Sequence, residues 1–432
     1  MNTHRTAHHP AIAAALLACA LTITMPDANA QVAQRAAGKF HILPATTENT
    51  QWGLYDSTTT PALTIQSGDT VVMETMNHAH DYWIPGRSLQ DVLGKRMDNN
   101  PQRGPHSITG PVFVEGAEPG DVLKVTINRI VPRAYGYNIT LPGVGGQFPK
   151  EFAEGRLRYF YIDLDKRQIE FLPGIQIPLK PFPGLIGVAR KEPGPYSTRP
   201  PGEFGGNMDV RDLTAGTVLH FPVWTRGALL WSGDAHAAQG NGEINISAIE
   251  TAFRELNLTF EVVKGRSLLY PRAEKQDSWI TFGFDPDLDR AHTKALEETT
   301  KILIETHKVS ADRGRTLTDM VADCRVSQVV NGTKGIHCLT PKRPGFKTDL
   351  ARPRTDTVTD YVTYAEEDTL TKAMDRAALM MIDRIANEKK IDRTNSYALM
   401  SVALDCRVGD WTGSTRKVHC LLPKNLWTGT KK

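Results

Sequence analysis

Potential metal ligands and acid–base groups are densest in the segment from Gly233 to Glu243, which follows a short apolar run. Asp234 and His236 are two residues apart, so at the end of an extended strand both side chains point to one side. The glycines that follow allow a tight turn that brings Gln239 and Glu243 back towards them. A carboxylate beside an imidazole suits Zn²⁺ or a similar divalent ion, which can polarise a carbonyl group and acidify water. The segment is therefore a candidate site for metal-assisted hydrolysis.

Further candidate ligands lie upstream of this segment. Asn207 and Asp209 follow a pair of glycines. Asp209 has a structural alternative, because it could cap the turn before Arg211. A D-x-H spacing is weak evidence by itself, because Asp and His beside Gly are common in turns. The metal-binding and the structural interpretations both stay open on spacing alone.

The elements that must position these residues are predicted to be strands. Short β-branched runs recur between residues 38 and 275, for example at 70–74, 122–127 and 258–263, and Gly, Pro and Asp punctuate them. Strands bounded by such turns predict a sandwich or a barrel. The stretch 180–206 is rich in Pro and Gly and predicts a long ordered loop. Long loops on a rigid β scaffold commonly carry function.

The remainder of the chain repeats itself, at residues 277–345 and 358–426. Matching motifs are separated by a constant offset of 82 residues; for example, Asp323 recurs as Asp405. A constant offset without gaps indicates an internal duplication. Each copy is predicted to form a strand, a long helix, a shorter helix and two strands. The long helix is expected at residues 291–308 in the first copy and at 370–389 in the second.

Cysteines occupy equivalent positions in the two copies: Cys324, Cys338, Cys406 and Cys420. A cross-strand disulfide within each copy is the first expectation, and pairing between the copies is the alternative. A histidine precedes the second cysteine of each copy, so a Cys/His metal site is a third option. It is disfavoured because no C-x-x-C spacing appears.

The N-terminal residues 1–30 have the three parts of a secretory signal peptide. A polar start with Arg5 is followed by an apolar run at 11–25 and by Ala28-Asn29-Ala30. Cleavage after Ala30 and a periplasmic location are predicted, with no membrane association afterwards, since the apolar run is too short to span a bilayer comfortably. The formal net charge is +3 without any block of like charges. A nucleic-acid partner therefore has no electrostatic support.

Several stretches resemble segments of the acetamidase/formamidase family. Residues 233–250 are similar to its signature, G-D-x-H-A-x-Q-G-D-G-E followed by a small-residue run and A-I-E. Other similar stretches follow the family's order: 74–81, 109–121, 181–189 and 205–209. The resemblance covers residues 40–270 closely and the remainder loosely.

The resemblance implies hydrolysis of short linear amides, such as formamide or acetamide, to a carboxylate and ammonia. It also implies assembly into a homo-oligomer and a jelly-roll-like β-sandwich core, here assigned to residues 38–275. Together with the repeat, the predicted fold is mainly β with an α+β C-terminal part made of a duplicated strand-helix-hairpin unit. Family and residue chemistry imply a divalent metal ion, with zinc as the first choice. The implied ligands are Asp209, Asp234 and His236, joined by His78 or His106. These two histidines have an alternative as ordinary surface or structural residues. Glu243 is the implied general base, and Asn207 and Gln239 are implied to hold the substrate amide or the oxyanion.

The sequence departs from the family pattern in two informative places. Asn241 stands where Asp is usual, and Asn245-Ile246-Ser247 replaces a small, Gly-containing run, so a bulkier pocket wall is expected. Two alternative functions remain: hydrolysis of another C–N bond on the same scaffold, and periplasmic binding of amides without turnover, which the Asn241 replacement favours. Serine and cysteine nucleophiles are disfavoured, because the conspicuous segments lack G-x-S-x-G and the mature cysteines lie in the repeats.

Overall fold

The computed structural model describes residues 38–96, 100, 102–343 and 352–428. The predicted signal peptide, residues 1–30, lies outside these residues. The first strands are β1 (Phe40–Leu43), β2 (Thr50–Trp52), β3 (Leu54–Asp56), β4 (Leu63–Ile65), β5 (Thr70–Met73), β6 (Ser107–Val114), β7 (Val122–Pro132), β8 (Tyr135–Thr140), β9 (Arg156–Asp163), β10 (Gln168–Leu172), β11 (Ile175–Pro178) and β12 (Phe182–Val188). The later strands are β13 (Pro195–Ser197), β14 (Gly205–Asn207), β15 (Val218–Pro222), β16 (Leu230–Ala238), β17 (Ile249–Thr251), β18 (Phe253–Val263), β19 (Arg272–Glu274), β20 (Ser278–Asp285), β21 (Asp323–Gln328), β22 (Lys334–Pro341), β23 (Asp360–Glu367), β24 (Asp405–Val408) and β25 (Arg416–Pro423).

Helices are fewer and lie mostly in the C-terminal part. They are α1 (His78–Asp81), α2 (Leu89–Arg96), α3 (Leu288–His307), α4 (Ala311–Val321), α5 (Leu370–Lys389) and α6 (Arg393–Ala403), with a 3₁₀ turn at Lys424–Leu426. In the part of the chain that the structure describes, none of them has both the length and the apolar character needed to cross a bilayer. The prediction of a mainly β protein with helices towards the C-terminus is confirmed.

Two large sheets organise the molecule. The first has the order β1-β5-β18-β7-β15-β19-β20-β22-β21-β24-β25-β23. It runs from the β-rich part into the C-terminal part without a break, because β19 pairs antiparallel with β20 across the predicted boundary near residue 276. The second follows the path β11-β10-β9-β8-β17-β16-β12-β14, and β6 joins it beside β16. Jelly-roll connectivity of the core stays a prediction.

The two C-terminal segments have the same order of elements. Each contains a strand, a helix of 20 residues, a helix of 11 residues and two strands. The second long helix, Leu370–Lys389, has the predicted bounds, whereas the first begins at Leu288 rather than Ala291. The earlier start follows from the capping residue, because Asp287 accepts a hydrogen bond from the Arg290 amide and so satisfies a free donor of the first turn.

Disulfides form within each C-terminal segment, as expected from the spacing. Cys324 bonds to Cys338 across β21 and β22, and Cys406 bonds to Cys420 across β24 and β25. All four residues are fully buried among the helices that cover this end of the sheet. Pairing between the copies and a Cys/His metal site are therefore both wrong for these cysteines.

Removal of one disulfide is expected to cost stability. Replacing Cys324 and Cys338 together by serine should lower the free energy of unfolding by about 3 kcal/mol, because a loop of this length loses its constraint in the unfolded chain. Urea denaturation monitored by circular dichroism measures the change. Met320→Ser, at an exposed position of α4, is the control and should leave the midpoint unchanged. An unchanged midpoint in the double variant would contradict the prediction.

The stretch 180–206 is not the long loop that its composition predicts. It contains β12, which is buried along its whole length and pairs with β14 on one side and β16 on the other. Glycine is required here by close packing rather than by a turn: a Cβ at Gly184 would lie 2.5 Å from the His236 ring. Glycine therefore occurs in this central strand because the His236 ring and strand β14 lie too close to leave room for a Cβ.

Candidate active site

Strand β16 carries Asp234 and His236, and every one of its residues is buried. It lies between β12 and β17, with β6 also paired to it. This central position explains why polar residues can be held rigidly here, since neighbouring strands fix the backbone on both sides. His236 lies opposite Glu250 of β17, so the strand register places this carboxylate beside the imidazole.

One half of the site consists of Asp234 and two histidines from distant parts of the chain, His78 and His106. Asp234 Oδ1 lies 2.8 Å from His78 Nε2, and Asp234 Oδ2 lies 3.8 Å from His106 Nε2. The other ring nitrogens have partners of their own: His78 Nδ1 is 2.7 Å from the Tyr137 hydroxyl, and His106 Nδ1 is 2.9 Å from the Thr198 hydroxyl. Such second contacts fix the orientation of a ring that binds a metal.

The other half of the site groups Asp209, His236, Glu243 and Glu250. His236 Nε2 is 3.1 Å from Glu250 Oε2 and 3.4 Å from Asp234 Oδ2, which are ion-pair distances without hydrogen-bond geometry. Ligand atoms of Asp209, His236 and Glu243 lie within 4.8 Å of one another, and so do those of Asp234, His236 and Glu250. Both ring nitrogens of His236 and both carboxylate oxygens of Asp209 are buried, and none of these atoms has a hydrogen-bond partner in the part of the chain that the structure describes. Buried polar atoms without partners are costly unless a ligand satisfies them.

The buried carboxylates differ in the direction in which their surroundings shift the pKa. Burial disfavours the ionised form of Asp234, but the positive charges of His106 and His236 outweigh it and hold the pKa of Asp234 well below its usual range. Burial raises the pKa of Asp209 well above its usual value, and the nearby Glu243 carboxylate adds to this. Burial also raises the pKa of Glu243, with further contributions from Glu250 and Asp234. Too little positive charge is present to ionise all of these carboxylates together.

Backbone conformation is unusual at three of the predicted residues. Asp209, Asp234 and Glu243 have φ values of 50°, 50° and 48°, in the left-handed region that residues other than glycine rarely adopt. Hydrogen bonds hold two of these segments in place: the Asp209 amide donates to the Gly184 carbonyl, and the Ile246 amide donates to the Glu243 carbonyl. Strained backbone that surrounding contacts maintain is common at functional sites.

The donor set fits a divalent cation. Four carboxylates and three imidazoles are buried together, and several of their atoms have no partner within the described residues. Oxygen and imidazole nitrogen are the donors that zinc accepts when cysteine is absent. A doubly charged ion would also supply the positive charge that the buried carboxylates lack.

A cavity of about 350 Å³ opens onto this cluster. Its charged and imidazole lining consists of His78, His106, Arg199, Asp234, Glu243 and Glu250. The lining also includes apolar side chains and the turn at residues 331–332, between β21 and β22 of the first C-terminal segment. The C-terminal part therefore contributes to the wall of the site as well as to the sheet.

The structure brings seven of the eight sequence-predicted residues to this cluster or its cavity. Asn207 lines the cavity: its Nδ2 donates to the Arg199 carbonyl, and its Oδ1 has no partner. Gln239 lines a different cavity, and its Nε2 donates to the backbone carbonyl of Asp209. Glu250 was missed, although it closes the A-I-E end of the signature. That ending was the available signal for it.

Comparison with known proteins agrees with these motifs. A model of the "Acetamidase/Formamidase family" matches residues 46–195 and 194–413. The chain is 30% identical over 219 residues to an acetamidase of Mycolicibacterium smegmatis, which covers 37% of this chain and 54% of that protein. The matched stretch thus spans about half the length of that curated relative.

Solved structures with the same fold extend the comparison. An acetamidase from Bacillus halodurans is 30% identical, with a TM-score of 0.63 over 69% of this chain and 97% of that one. A gamma lactamase from Delftia acidovorans, 18% identical, has a TM-score of 0.61 over 90% of this chain and 94% of that one, which shows a shared fold. The family model covers most of the chain, including the strand that carries Asp234 and His236. The chain belongs to the acetamidase/formamidase family.

Proposed function

We propose that this protein hydrolyses small linear amides to a carboxylate and ammonia with the help of a divalent metal ion. Zinc is the first choice for this ion. The observation that carries the proposal is the buried cluster of carboxylates and imidazoles, several of which line a cavity, with atoms of Asp209 and His236 that have no hydrogen-bond partner among the described residues. Membership of the acetamidase/formamidase family, and the acetamidase names of relatives, support the choice of amides.

Three groups of residues are suited to hold the ion: Asp209, His236 and Glu243; Asp234, His236 and Glu250; and His78, His106 and Asp234. A bound ion would polarise the amide carbonyl and lower the pKa of water. We favour Asp209, Asp234 and His236 as ligands, joined by His78 or His106, whose other ring nitrogens have partners that orient the rings towards Asp234.

Glu243 is suited to act as the general base. It is buried at the cavity wall, and no described residue forms a hydrogen bond with its Oε2. In this position it can take a proton from the attacking water and return it to the nitrogen as the C–N bond breaks and ammonia leaves. Asn207 Oδ1, also without a partner, can accept a hydrogen bond from the substrate amide group. Gln239 does not line this cavity, so its proposed role is to hold the Asp209 backbone through the hydrogen bond to its carbonyl.

We also propose the setting in which this activity operates. The two disulfides fit an oxidising compartment, which supports export and a periplasmic location after loss of residues 1–30. The catalytic domain is assigned to residues 38–275, and the two copies of a duplicated unit to 277–345 and 358–426. A homo-oligomer is the proposed assembly.

Ammonia release tests the proposal directly. The mature protein from Gln31 is assayed with formamide, acetamide and propionamide, with and without a chelator, beside elemental analysis of the same sample. We expect ammonia release that the chelator abolishes and that one equivalent of zinc restores. Bound metal without turnover would support the amide-binding alternative or another C–N substrate. Full activity in a metal-free sample would contradict the role of the ion.

A further inference from the structure

The cavity beside the cluster is lined by two chemically different kinds of side chain. Acidic and imidazole groups, together with Arg199 and Asn207, are the polar kind, and the amide group has to lie against them for the proposed reaction. The apolar kind consists of Trp83, Ile139, Leu141 and Ile246. Three of these four side chains are buried at 4% exposure or less, so their apolar surfaces are fixed in position by the core around them.

The cavity is larger than formamide or acetamide needs. It measures about 350 Å³, and a water molecule occupies about 30 Å³ of the liquid, so the cavity has room for roughly ten waters. Formamide and acetamide are only a few times the size of water and would leave part of the cavity unfilled. Pockets that bind small molecules usually bury most of the ligand surface against such apolar walls.

Ile246 is the distinctive residue of the apolar lining. It has φ of +75°, a genuine outlier for a β-branched residue, and in the sequence it stands between Glu243 and Glu250, which also line the cavity. Its amide donates to the Glu243 carbonyl. Its side chain packs against the chain at Gly145, where an added Cβ would lie 2.6 Å from Ile246 Cδ1. Glycine would adopt this backbone without strain, whereas the residue here is an isoleucine that lines the cavity.

We propose that the site selects amides with an apolar acyl group larger than acetyl, and that Ile246 is a specificity-determining residue that contacts this group. The inference rests on the proposed amidase function and names its substrate class. The amide lies against Glu243 and Asn207, and the acyl group extends over Trp83, Leu141 and Ile246.

A series of amides tests the proposal. Formamide, acetamide, propionamide, butyramide and benzamide are compared by kcat/KM in the wild-type protein and in Ile246→Gly. We expect kcat/KM to rise roughly three- to fourfold per added methylene in the wild type, which is the factor for burying one such group. The rise should be clearly smaller in Ile246→Gly and should come mainly from KM. Ile42→Gly, at an exposed position of β1, is the matched control and should keep the wild-type series.

The outcomes separate this inference from the proposed function. A flat or falling series in a protein that releases ammonia would overturn the acyl selection and leave the amidase function standing. An undiminished rise in Ile246→Gly would overturn the role of that residue. If no amide is turned over, calorimetric binding of the same series decides instead: affinity that rises with acyl size supports the inference, and equal affinities overturn it.

Discussion

His236→Ala is expected to remove most of the bound metal and to lower the rate of ammonia release by about 100-fold or more. The ring is fully buried beside Asp234 and Glu250, and its two nitrogens have no hydrogen-bond partner within residues 38–96, 100, 102–343 and 352–428. Even residues that only orient a metal ligand typically contribute 10- to 100-fold to affinity or activity, so loss of a proposed ligand should cost at least as much. Elemental analysis and the ammonia assay on the same sample measure both effects.

The control for this variant is a histidine in a similar setting outside the site. His220 of β15 is largely buried and lies 3.0 Å from Glu274, so His220→Ala also breaks a contact between a histidine and a carboxylate. It should retain metal and activity. Circular dichroism establishes that both variants fold. A His236→Ala protein with full metal content and activity would contradict the assignment, whereas loss of both in His220→Ala would point to a general loss of structure.

Local spacing was sufficient to identify part of the site. Asp234 and His236 belong to one strand, so their common direction follows from the alternation of side chains along it. Asn207 is the last residue of β14, and Asp209 follows shortly after it. Strand β12 lies between β14 and β16 in the sheet, so no spacing rule along the chain connects these residues with Asp234 and His236. His78 and His106 are more than a hundred residues away in sequence, and only the motif resemblance suggested them.

Composition was misleading where packing determines the residue type. The Pro- and Gly-rich stretch 180–206 looked like a loop, yet β12 is a central strand whose glycines make room for the His236 ring and for β14. Glu250 was missed for a related reason. It reaches His236 across two paired strands, and the path of the turn between those strands does not follow from spacing alone. The C-terminal helix positions, by contrast, follow from local periodicity and were predicted closely.

The Asn241 replacement has a physical reason that the sequence could not reveal. Asn241 Nδ2 donates to Asp405 Oδ1 at 2.5 Å, a contact between residues 164 positions apart. Asp405 belongs to the second C-terminal copy and is buried near Arg211 and Arg407. Burial opposes its ionisation, but these arginines hold the pKa of Asp405 below its usual range. A carboxylate at this place is thus supplied by Asp405, and the amide of Asn241 is its partner.

The same contact belongs to a wider attachment of the site loop. The Gly240 amide donates to the Ser401 carbonyl, the Asn241 amide to the Leu404 carbonyl, and the Gly242 amide to the Ser327 carbonyl. These bonds tie the loop that ends at Glu243 to both C-terminal segments. The two segments therefore position the proposed general base, although the proposed ligands all come from the β-rich part.

Asn241→Asp, which restores the residue usual in the family, is accordingly expected to harm this protein. It replaces a donor by a second acidic group facing the ionised Asp405, so we expect a loss of about 1–3 kcal/mol in the free energy of unfolding. Activity should fall as well, because displacement of Glu243 by even a small distance costs rate. Urea denaturation and the ammonia assay measure the two effects.

The reciprocal double variant makes this prediction specific. Asn241→Asp combined with Asp405→Asn exchanges the two groups and rebuilds an amide–carboxylate contact, so stability and activity should both return towards wild type. Asp410→Asn, an exposed aspartate shortly after β24, is the matched control for loss of one carboxylate and should have little effect on either. If the two changes simply add, the pair is not coupled and the loop is held by its backbone bonds alone. If Asn241→Asp alone is more active than the wild type, the missing carboxylate belongs to the catalytic site, and the positioning role of Asp405 is wrong.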